Sequence, residues 1–407
     1  MAKKQKPLRI MIVGGGFGGV RTALKLAKNP RNEVTIISDR EEFQYYPALY
    51  SSATGHSRLE SWAPLGEIFA DYPNVHVYID KIEHINPTGK TIRGESGTEY
   101  QYETLVMALG VVTTYFGIPG LETFAYGIKS EAEIKKLKQR LFVDIAEKSK
   151  LDRNYVVIGA GPTGVELSAA LGTYLRRLCK HYKVKSHGIR IHLIEAAPRV
   201  LPRSSELTSR VVEHRLRKLG VTVQTGKKVE EANATQLIVS GRPIESHTVI
   251  WTSGVANNPF FSKFPSVFTL DQRGKVVVDD HMQAYDGIYV IGDNASRPFA
   301  GLAQIAVRDA DALVKNLERK AKGKKLKKYV QHLPVTAIPV GRNWAVVEWR
   351  FIRIFGLAGG LIRRAADFIG YRDVMPMNTS MKAWQAAEVY ENDYFTPTVK
   401  VKSAKRR

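Results

Sequence analysis

The sequence predicts an α/β chain of two Rossmann-like dinucleotide-binding domains, the second inserted in the first, followed by a separate C-terminal region. Three observations carry this expectation. Gly14-Gly15-Gly16-Phe17-Gly18-Gly19 follows a strand-like apolar run over residues 8–13, and Gly159-Ala160-Gly161-Pro162-Thr163-Gly164 follows another over 155–158. Each run stops abruptly and opens a helix. Two later runs end in the same way, Val249-Ile250-Trp251 before Ser253 and Gly254, and Tyr289-Val290-Ile291 before Gly292 and Asp293. They return the chain to the first unit, so the expected first domain is 1–111 with 249–328, the second 112–248, and the C-terminal region 329–407.

The physics of the turn supports the reading. A buried strand that opens directly into a helix leaves backbone N–H groups at the helix N-terminus, where the dipole favours an anion such as a pyrophosphate. Glycine is needed there because a Cβ would block the turn and keep the phosphates away. One such turn holds one dinucleotide; two suggest electron transfer between a pair of them.

In chain order, the first turn leads into a helix over 20–28 and a strand over 33–37, one βαβ unit. The second strand of such a unit ends near an acid that takes ribose hydroxyls, and Ser38 and Asp39 stand there, although the same stretch reads equally as a solvated turn. Leu105 to Gly110, with Ala108 inside it, is a further strand ending in glycine. A basic amphipathic helix over 131–148 leads to the second unit, whose strand over 189–194 ends at Glu195. An acid at that position favours NAD(H) and repels the extra phosphate of NADP(H). Residues 315–328 hold eight Lys or Arg against Glu318 alone and mark the surface end of the first domain.

Composition narrows the function classes. The 407 residues suffice for two or three domains, and 61 Lys plus Arg against 39 Asp plus Glu give a net charge of +22. That charge suits an anionic membrane surface or a nucleic acid, but no nucleic-acid module is recognisable, so no nucleic-acid partner is expected. Cys179 is the single cysteine. A disulfide framework, a redox dithiol and a multi-cysteine metal site are thereby excluded, no metal is expected, and electrons must travel through a cofactor. No apolar run approaches the roughly 18–20 residues of a membrane span, and the N-terminus lacks the apolar core of a signal peptide. The expected location is cytoplasmic.

Taken together, the motifs resemble a known group. Besides the two turns they are Tyr46-Pro47-Ala48-Leu49-Tyr50 with Ala53-Thr54-Gly55, Ala108-Leu109-Gly110, the run on to Glu166, Glu195-Ala196-Ala197-Pro198-Arg199-Val200-Leu201-Pro202, Trp251 to Val255, Gly292-Asp293 and Ala303-Gln304. In order and spacing, across about residues 8–313, they are similar to the two-dinucleotide-binding-domain flavoproteins and, within these, to the type II NADH dehydrogenases. Those are single-chain NADH:quinone oxidoreductases, peripheral on the inner face of the cell membrane.

The resemblance implies FAD on Gly14, Gly16, Phe17 and Gly19, with Ser38, Asp39, Ala108, Gly110, Gly292, Asp293, Ala303 and Gln304 around it. It implies NADH on Gly159, Gly161, Pro162, Thr163, Gly164, Glu166, Glu195, Ser253 and Gly254. Hydride would pass from NADH to FAD and two electrons onward to a membrane quinone, without proton pumping, with Glu166, Gln304 and Arg308 at the reacting end. Two of these residues carry a second reading: Asp293 as a helix cap, and Glu166 as an acid complementing a helix dipole.

The chain departs from the family pattern twice. Arg308 stands where the quinone-side motif has a second glutamine, and the ribose acid of the first unit falls on Ser38, with Asp39 one step late. A soluble NADH-dependent reductase serving a protein or oxygen is therefore the alternative. Sulfide:quinone oxidoreductases share the architecture but depend on a cysteine relay, which one cysteine does not supply.

Residues 350–369, read as one helix, place Phe351, Phe355, Ile362 and Ile369 on one arc and Arg350, Arg353 and Arg364 opposite. This is the pattern of an interfacial helix, although Leu357, Leu361 and Phe368 fall on the arginine side and Gly356, Gly359 and Gly360 weaken the helix. Membrane contact or a homodimer contact are both open. Lys3, Lys4, Lys6, Lys400, Lys402, Lys405, Arg406 and Arg407 add basic termini.

Overall fold

Short runs of aliphatic residues buried on both faces form parallel strands, and here they assemble two sheets. The structure is a computed structural model that describes residues 7–147 and 151–391. The basic terminal residues named above, and Lys148, lie outside these. The first sheet runs Gln283–Tyr285, Ile288–Val290, Thr104–Met107, Arg9–Val13, Glu33–Ser38, Val75–Ile79, antiparallel only at the first pair. The second is wholly parallel: Ala125–Tyr126, Thr248–Trp251, Tyr155–Ile158, Ile191–Ile194, Val221–Gln224.

The strands of the second sheet fall, in sequence, between those of the first. The expected boundary at 248/249 needs correcting, however. Thr248–Trp251 pairs along its whole length with Tyr155–Ile158, in the second sheet. The crossing back is made later, by Val255–Asn257, which pairs with Val111–Thr113 as a two-stranded linker. A strand ending in glycine serves either sheet, so the pattern alone does not decide which.

After the Ala303–Ala321 helix, an antiparallel sheet of Thr336–Pro339, Ala345–Trp349 and Ile352–Gly356 precedes two helices, Leu357–Val374 and Met377–Ala386. The single helix expected over 350–369 is thus wrong in its first part. Trp349 pairs with Ile352 across a two-residue turn in which Arg350 has φ +53°. Phe351, at the tip, is 92% exposed. The reason is the period: Ala345–Trp349 and Ile352–Gly356 are β-branched and aromatic segments that pair as a hairpin.

The helix that does form has an inverted surface. Leu357, Leu361, Ile362 and Ile369 face outward, Leu361 at 72% exposure, while Arg363 turns inward with a side chain only 14% exposed. Its glycines aid packing instead of weakening it. A methyl at Gly359 would sit 2.3 Å from Ala345 O, so glycine lets the helix lie directly on the strand backbone. Among the described residues no helix is long and apolar enough to cross a membrane.

The C-terminal helices are tied to the first domain by Arg21 of the Phe17–Ala27 helix. Its Nε and Nη2 donate to both Asp311 oxygens at 2.7 and 3.0 Å, and its Nη1 donates to Asp373 O at 2.7 Å. The side chain is 14% exposed. Arg21→Met removes the ion-pair partner of Asp373 and leaves Asp311 with Lys25 alone, and we expect it to lower stability by roughly 2–3 kcal/mol, somewhat below the value for a fully buried pair. Urea denaturation followed by tryptophan fluorescence checks this, and an unchanged midpoint would refute it.

Candidate active site

The two glycine turns have the same construction. A methyl at Gly19 would lie 1.9 Å from Gly14 O, and one at Gly164 would lie 1.8 Å from Gly159 O, so the last glycine of each turn lets helix and strand close up. At the middle glycines, Gly16 and Gly161, a methyl would meet nothing within 4 Å. Those positions face open space. Neither the Phe17–Ala27 helix nor the Pro162–His181 helix has a side-chain cap or an acid in its first turn. Their first N–H groups therefore lack an internal partner and lie at the positive end of the dipole, as an anion site requires. Pro162 and Thr163 stand in that first turn, while Glu166 falls one turn later, so the dipole reading of Glu166 is set aside.

Around the first turn, Phe17 packs its ring into the core against Phe43 and Tyr45, at 5.0 and 5.5 Å between centroids, leaving its backbone to the turn. Ser38 is buried, with Oγ donating to Arg40 O at 2.7 Å and accepting from Arg40 N at 3.2 Å. Asp39, half exposed, is the carboxylate at this strand end and is paired with Arg40, whose Nε donates to its Oδ1 at 3.1 Å. Ala108 backs Gly14, and Gly110 is clamped by Asn294: Gly110 N donates to Asn294 Oδ1 at 2.9 Å, and Asn294 Nδ2 donates to Gly110 O at 2.6 Å.

Gly292 N donates to the buried Asp309 at 3.0 Å. Asp293 accepts from Gly301 N, eight residues on, so it is no helix cap; burial pushes its carboxyl up from the usual range. Ala303 begins a third helix without a side-chain cap or a first-turn acid.

Around the second turn, Glu195 braces the backbone that carries it. Its Oε2 accepts from Ala160 N at 2.6 Å and its Oε1 from Ala197 N at 2.8 Å. The cation nearest in sequence, Arg199, is consumed by Pro202 O, Ser204 O and Ser209 Oγ at 2.6 to 2.8 Å. Ser253 Oγ abuts Gly159, where a methyl would lie 1.9 Å away, and Gly254 O accepts from Lys129 Nζ at 2.9 Å. Burial lowers the pKa of Lys129.

Glu166 reaches a centre that sequence reasoning missed. Arg363 Nη1 lies 3.6 Å from Glu166 Oε1 and donates to Ala337 O at 2.6 Å. Its Nε donates to Asp367 Oδ2 at 2.8 Å, and its Nη2 to Pro47 O at 3.2 Å. The carboxyl of Glu166, with a side chain 9% exposed, is pushed up to about 8 by burial, against the opposing pull of Arg363.

Gln304 and Arg308, one helical turn apart, face a different partner. Gln304 Oε1 accepts from Val335 N at 3.2 Å and Arg308 Nη1 donates to His332 O at 3.3 Å. Among the described residues no hydrogen bond or ion pair joins them to Glu166. Of the missed residues, Asn294 directly follows the recognised Gly292-Asp293 motif, whereas Arg363 and Lys129 had no local signal.

A model of the pyridine nucleotide-disulphide oxidoreductase family matches residues 8–310. The chain is 30% identical to the type II NADH:quinone oxidoreductase Ndh of Mycobacterium tuberculosis over 77% of its own length and 73% of the relative's. It is 28% identical to the type II NADH:quinone oxidoreductase of Staphylococcus saprophyticus, over 79% and 84%.

Two solved structures share the fold. NDH2 from Plasmodium falciparum in complex with NADH has a TM-score of 0.82 at 17% identity, over 93% of this chain and 97% of that one. The sulfide:quinone oxidoreductase of Aquifex aeolicus has a TM-score of 0.76 at 19% identity, over 91% and 92%. The cysteine argument still separates the chain from the latter group, because Cys179 is fully buried and burial raises its thiol pKa. The paired turns, the acid at Glu195 and the two extended sequence matches agree: the chain belongs to the pyridine nucleotide-disulphide oxidoreductases and, within them, to the type II NADH:quinone oxidoreductases.

Proposed function

We propose that this chain is an FAD-dependent NADH dehydrogenase that delivers two electrons to a membrane quinone at the membrane surface, without pumping protons. The observation that carries the proposal is Arg363, which touches Pro47 beside the first nucleotide site and Glu166 at the second, from a helix whose opposite face is exposed and apolar. A helix is only about 10–12 Å across with its side chains. The reacting end of the molecule thus lies one helix thickness from a surface fit for the bilayer interface.

Each residue has a task in this reading. The N–H groups at Gly16 and Phe17 hold the FAD pyrophosphate, and those at Gly161 and Thr163 hold that of NADH. Glu195, already oriented by two backbone donors, takes the ribose hydroxyls and repels a 2′-phosphate, with Arg199 not free to attract one. The bound flavin supplies hydride acceptance and electron transfer to the quinone. Glu166 presents a proton at neutral pH to an oxygen that gains negative charge, and Arg363 fixes its direction. Gln304 and Arg308 order residues 332–335 on the acceptor side. A homodimer would cover the same apolar face and compete with the membrane for it.

Three outcomes are expected. Purified protein supplemented with FAD is yellow, and stopped-flow mixing with NADH bleaches the flavin, which short-chain quinone then reoxidises faster than oxygen does. Reoxidation by oxygen alone would favour the soluble alternative. Glu195→Gln weakens the saturation of bleaching by NADH roughly ten- to a hundredfold, in line with roughly 1.5–3 kcal/mol for a charged hydrogen bond, and narrows the preference over NADPH; equal constants would remove Glu195 from the site. Leu361→Glu with Ile369→Glu abolishes co-flotation with anionic liposomes while ferricyanide reduction by NADH persists. Flotation that survives the pair would move the membrane contact elsewhere.

A further inference from the structure

The second nucleotide site contains a cation to which no step above gives a task. Lys129 stands just beyond Ala125–Tyr126, the edge strand of the second sheet. Its Nζ donates to Gly254 O at 2.9 Å, and that carbonyl also accepts from Thr114 N at 3.3 Å. The backbone of Lys129 is held from two sides. Its N–H donates to Glu133 Oε2, within the capping box that Ser130 closes at the head of the Glu131–Phe142 helix, and its carbonyl accepts from Gln44 Nε2 of the first domain. The carboxylates that follow are spent elsewhere: Glu131 on Arg58 and Lys135, and Glu133 Oε2 on the N–H groups of Lys129 and Ser130. Among the described residues the ammonium has no ion-pair partner. Gly254 takes one of its three N–H groups.

Sheet order shows which part of a dinucleotide this cation meets. In an open parallel sheet the ligand lies along the carboxyl ends of the strands. The order here is Ala125–Tyr126, Thr248–Trp251, Tyr155–Ile158, Ile191–Ile194. The Gly159 turn, at the end of the third, takes the pyrophosphate, and Glu195, at the end of the fourth, takes the ribose of the adenosine half. The nicotinamide half therefore extends the opposite way, across the ends of the second and the first, where Ser253, Gly254 and Lys129 stand. Two strand spacings separate the Gly159 strand from the Lys129 strand, about 10 Å. That is the reach of a ribose with its nicotinamide ring.

We propose that Lys129 is a specificity residue that distinguishes NADH from NAD+ by the charge of the nicotinamide ring. The inference rests on the reading of the second site as the NADH site. When the C–H bond of the dihydronicotinamide breaks, its hydrogen and both electrons pass to the flavin and the ring is left with one positive charge. Nothing else in the dinucleotide changes. A cation fixed at that end of the site repels the product and not the substrate, so NAD+ leaves and the next NADH enters. Attraction between Lys129 and the pyrophosphate is equal for both forms and cancels in the comparison. Burial lowers the pKa of Lys129, the direction expected of an ammonium drawn out of water, and salt screens a charge in such a place less than one on the open surface.

Lys129→Met removes the charge while Gly254 O keeps its Thr114 donor, so the linker retains that support. Two ligands are titrated by calorimetry into the oxidised, FAD-loaded protein: NAD+, and tetrahydro-NADH, a saturated analogue whose ring is neutral and donates no hydride. Wild type should bind the neutral analogue more tightly. Lys129→Met should narrow that ratio by about tenfold through tighter binding of NAD+, the size expected of like charges about 10 Å apart in a half-buried site. Lys129→Gln, which keeps a donor for Gly254, should narrow it equally and covers the case in which the methionine variant folds poorly.

Lys129→Arg, which keeps the charge, should hold the ratio within about twofold of wild type. A merely structural role would weaken both ligands alike and leave the ratio where it was. In turnover with ferricyanide, inhibition by NAD+ should deepen in Lys129→Met by the same factor. Wild type that binds neither ligand overturns the reading of the second site. Wild type that binds both with equal constants, or neutral variants whose ratio matches that of wild type, overturns this proposal alone.

Discussion

The placement of one guanidinium, Arg363, conditions the rest of this structure. An arginine taken out of water must recover several kcal/mol of lost hydration, and it does so only when its donors are filled by well-placed acceptors. Here the acceptors come from three parts of the chain, Asp367 on its own helix, Ala337 on the C-terminal sheet and Pro47 from the first domain, with Glu166 of the second domain 3.6 Å away. No single segment can satisfy it. The C-terminal helix is therefore locked over the seam between the two nucleotide domains, and the seam is where the two nucleotide sites meet.

From that constraint the surface follows. With Arg363, Asp367 and Tyr371 drawn inward by their partners, the 3.6-residue period turns Leu357, Leu361 and Ile369 to the outside. An ordinary surface helix shows the opposite arrangement. Such inversion exposes more apolar surface than a lone soluble domain tolerates easily, and Phe351 at the hairpin tip extends it. Burying Arg363 and exposing the apolar residues are thus one event in the packing of the Leu357–Val374 helix.

What was legible in the sequence divides along the same line between local and long-range causes. The glycine turns were legible because their requirement is local: one glycine to close the turn, one to leave room, one to let the helix approach the strand. Glu195 followed from its distance to such a turn. The strand Thr248–Trp251 was assigned to the wrong sheet because its apolar run suits either, and the choice lies in its pairing with Tyr155–Ile158, about 93 residues away. Residues 350–356 were read at the helical period although they pair as a hairpin with Ala345–Trp349. Arg363 was illegible for a deeper reason, since an inward arginine violates the amphipathic pattern until Glu166, far along the chain, is known to await it.

Under the proposed function, the two ends of the reaction differ in how firmly they are built, and the difference has a physical source. Donor-side residues act through backbone: the Gly161 turn, the Ala160 and Ala197 amides on Glu195, and the Gly254 carbonyl are all held by strands of one parallel sheet. Acceptor-side residues act through a surface segment. Gln304 and Arg308 spend their polar ends on residues 332–335, which belong to no strand or helix, and Leu302, Leu333 and Val335 stand exposed beside them. A rigid donor site suits a nucleotide of fixed shape that must stack at reacting distance. An adaptable, apolar-edged acceptor site suits a partner that arrives from the bilayer, where orientation is supplied by the membrane and not by the protein. Arginine at 308 fits this division, because it spends its charge on the His332 carbonyl of that same segment.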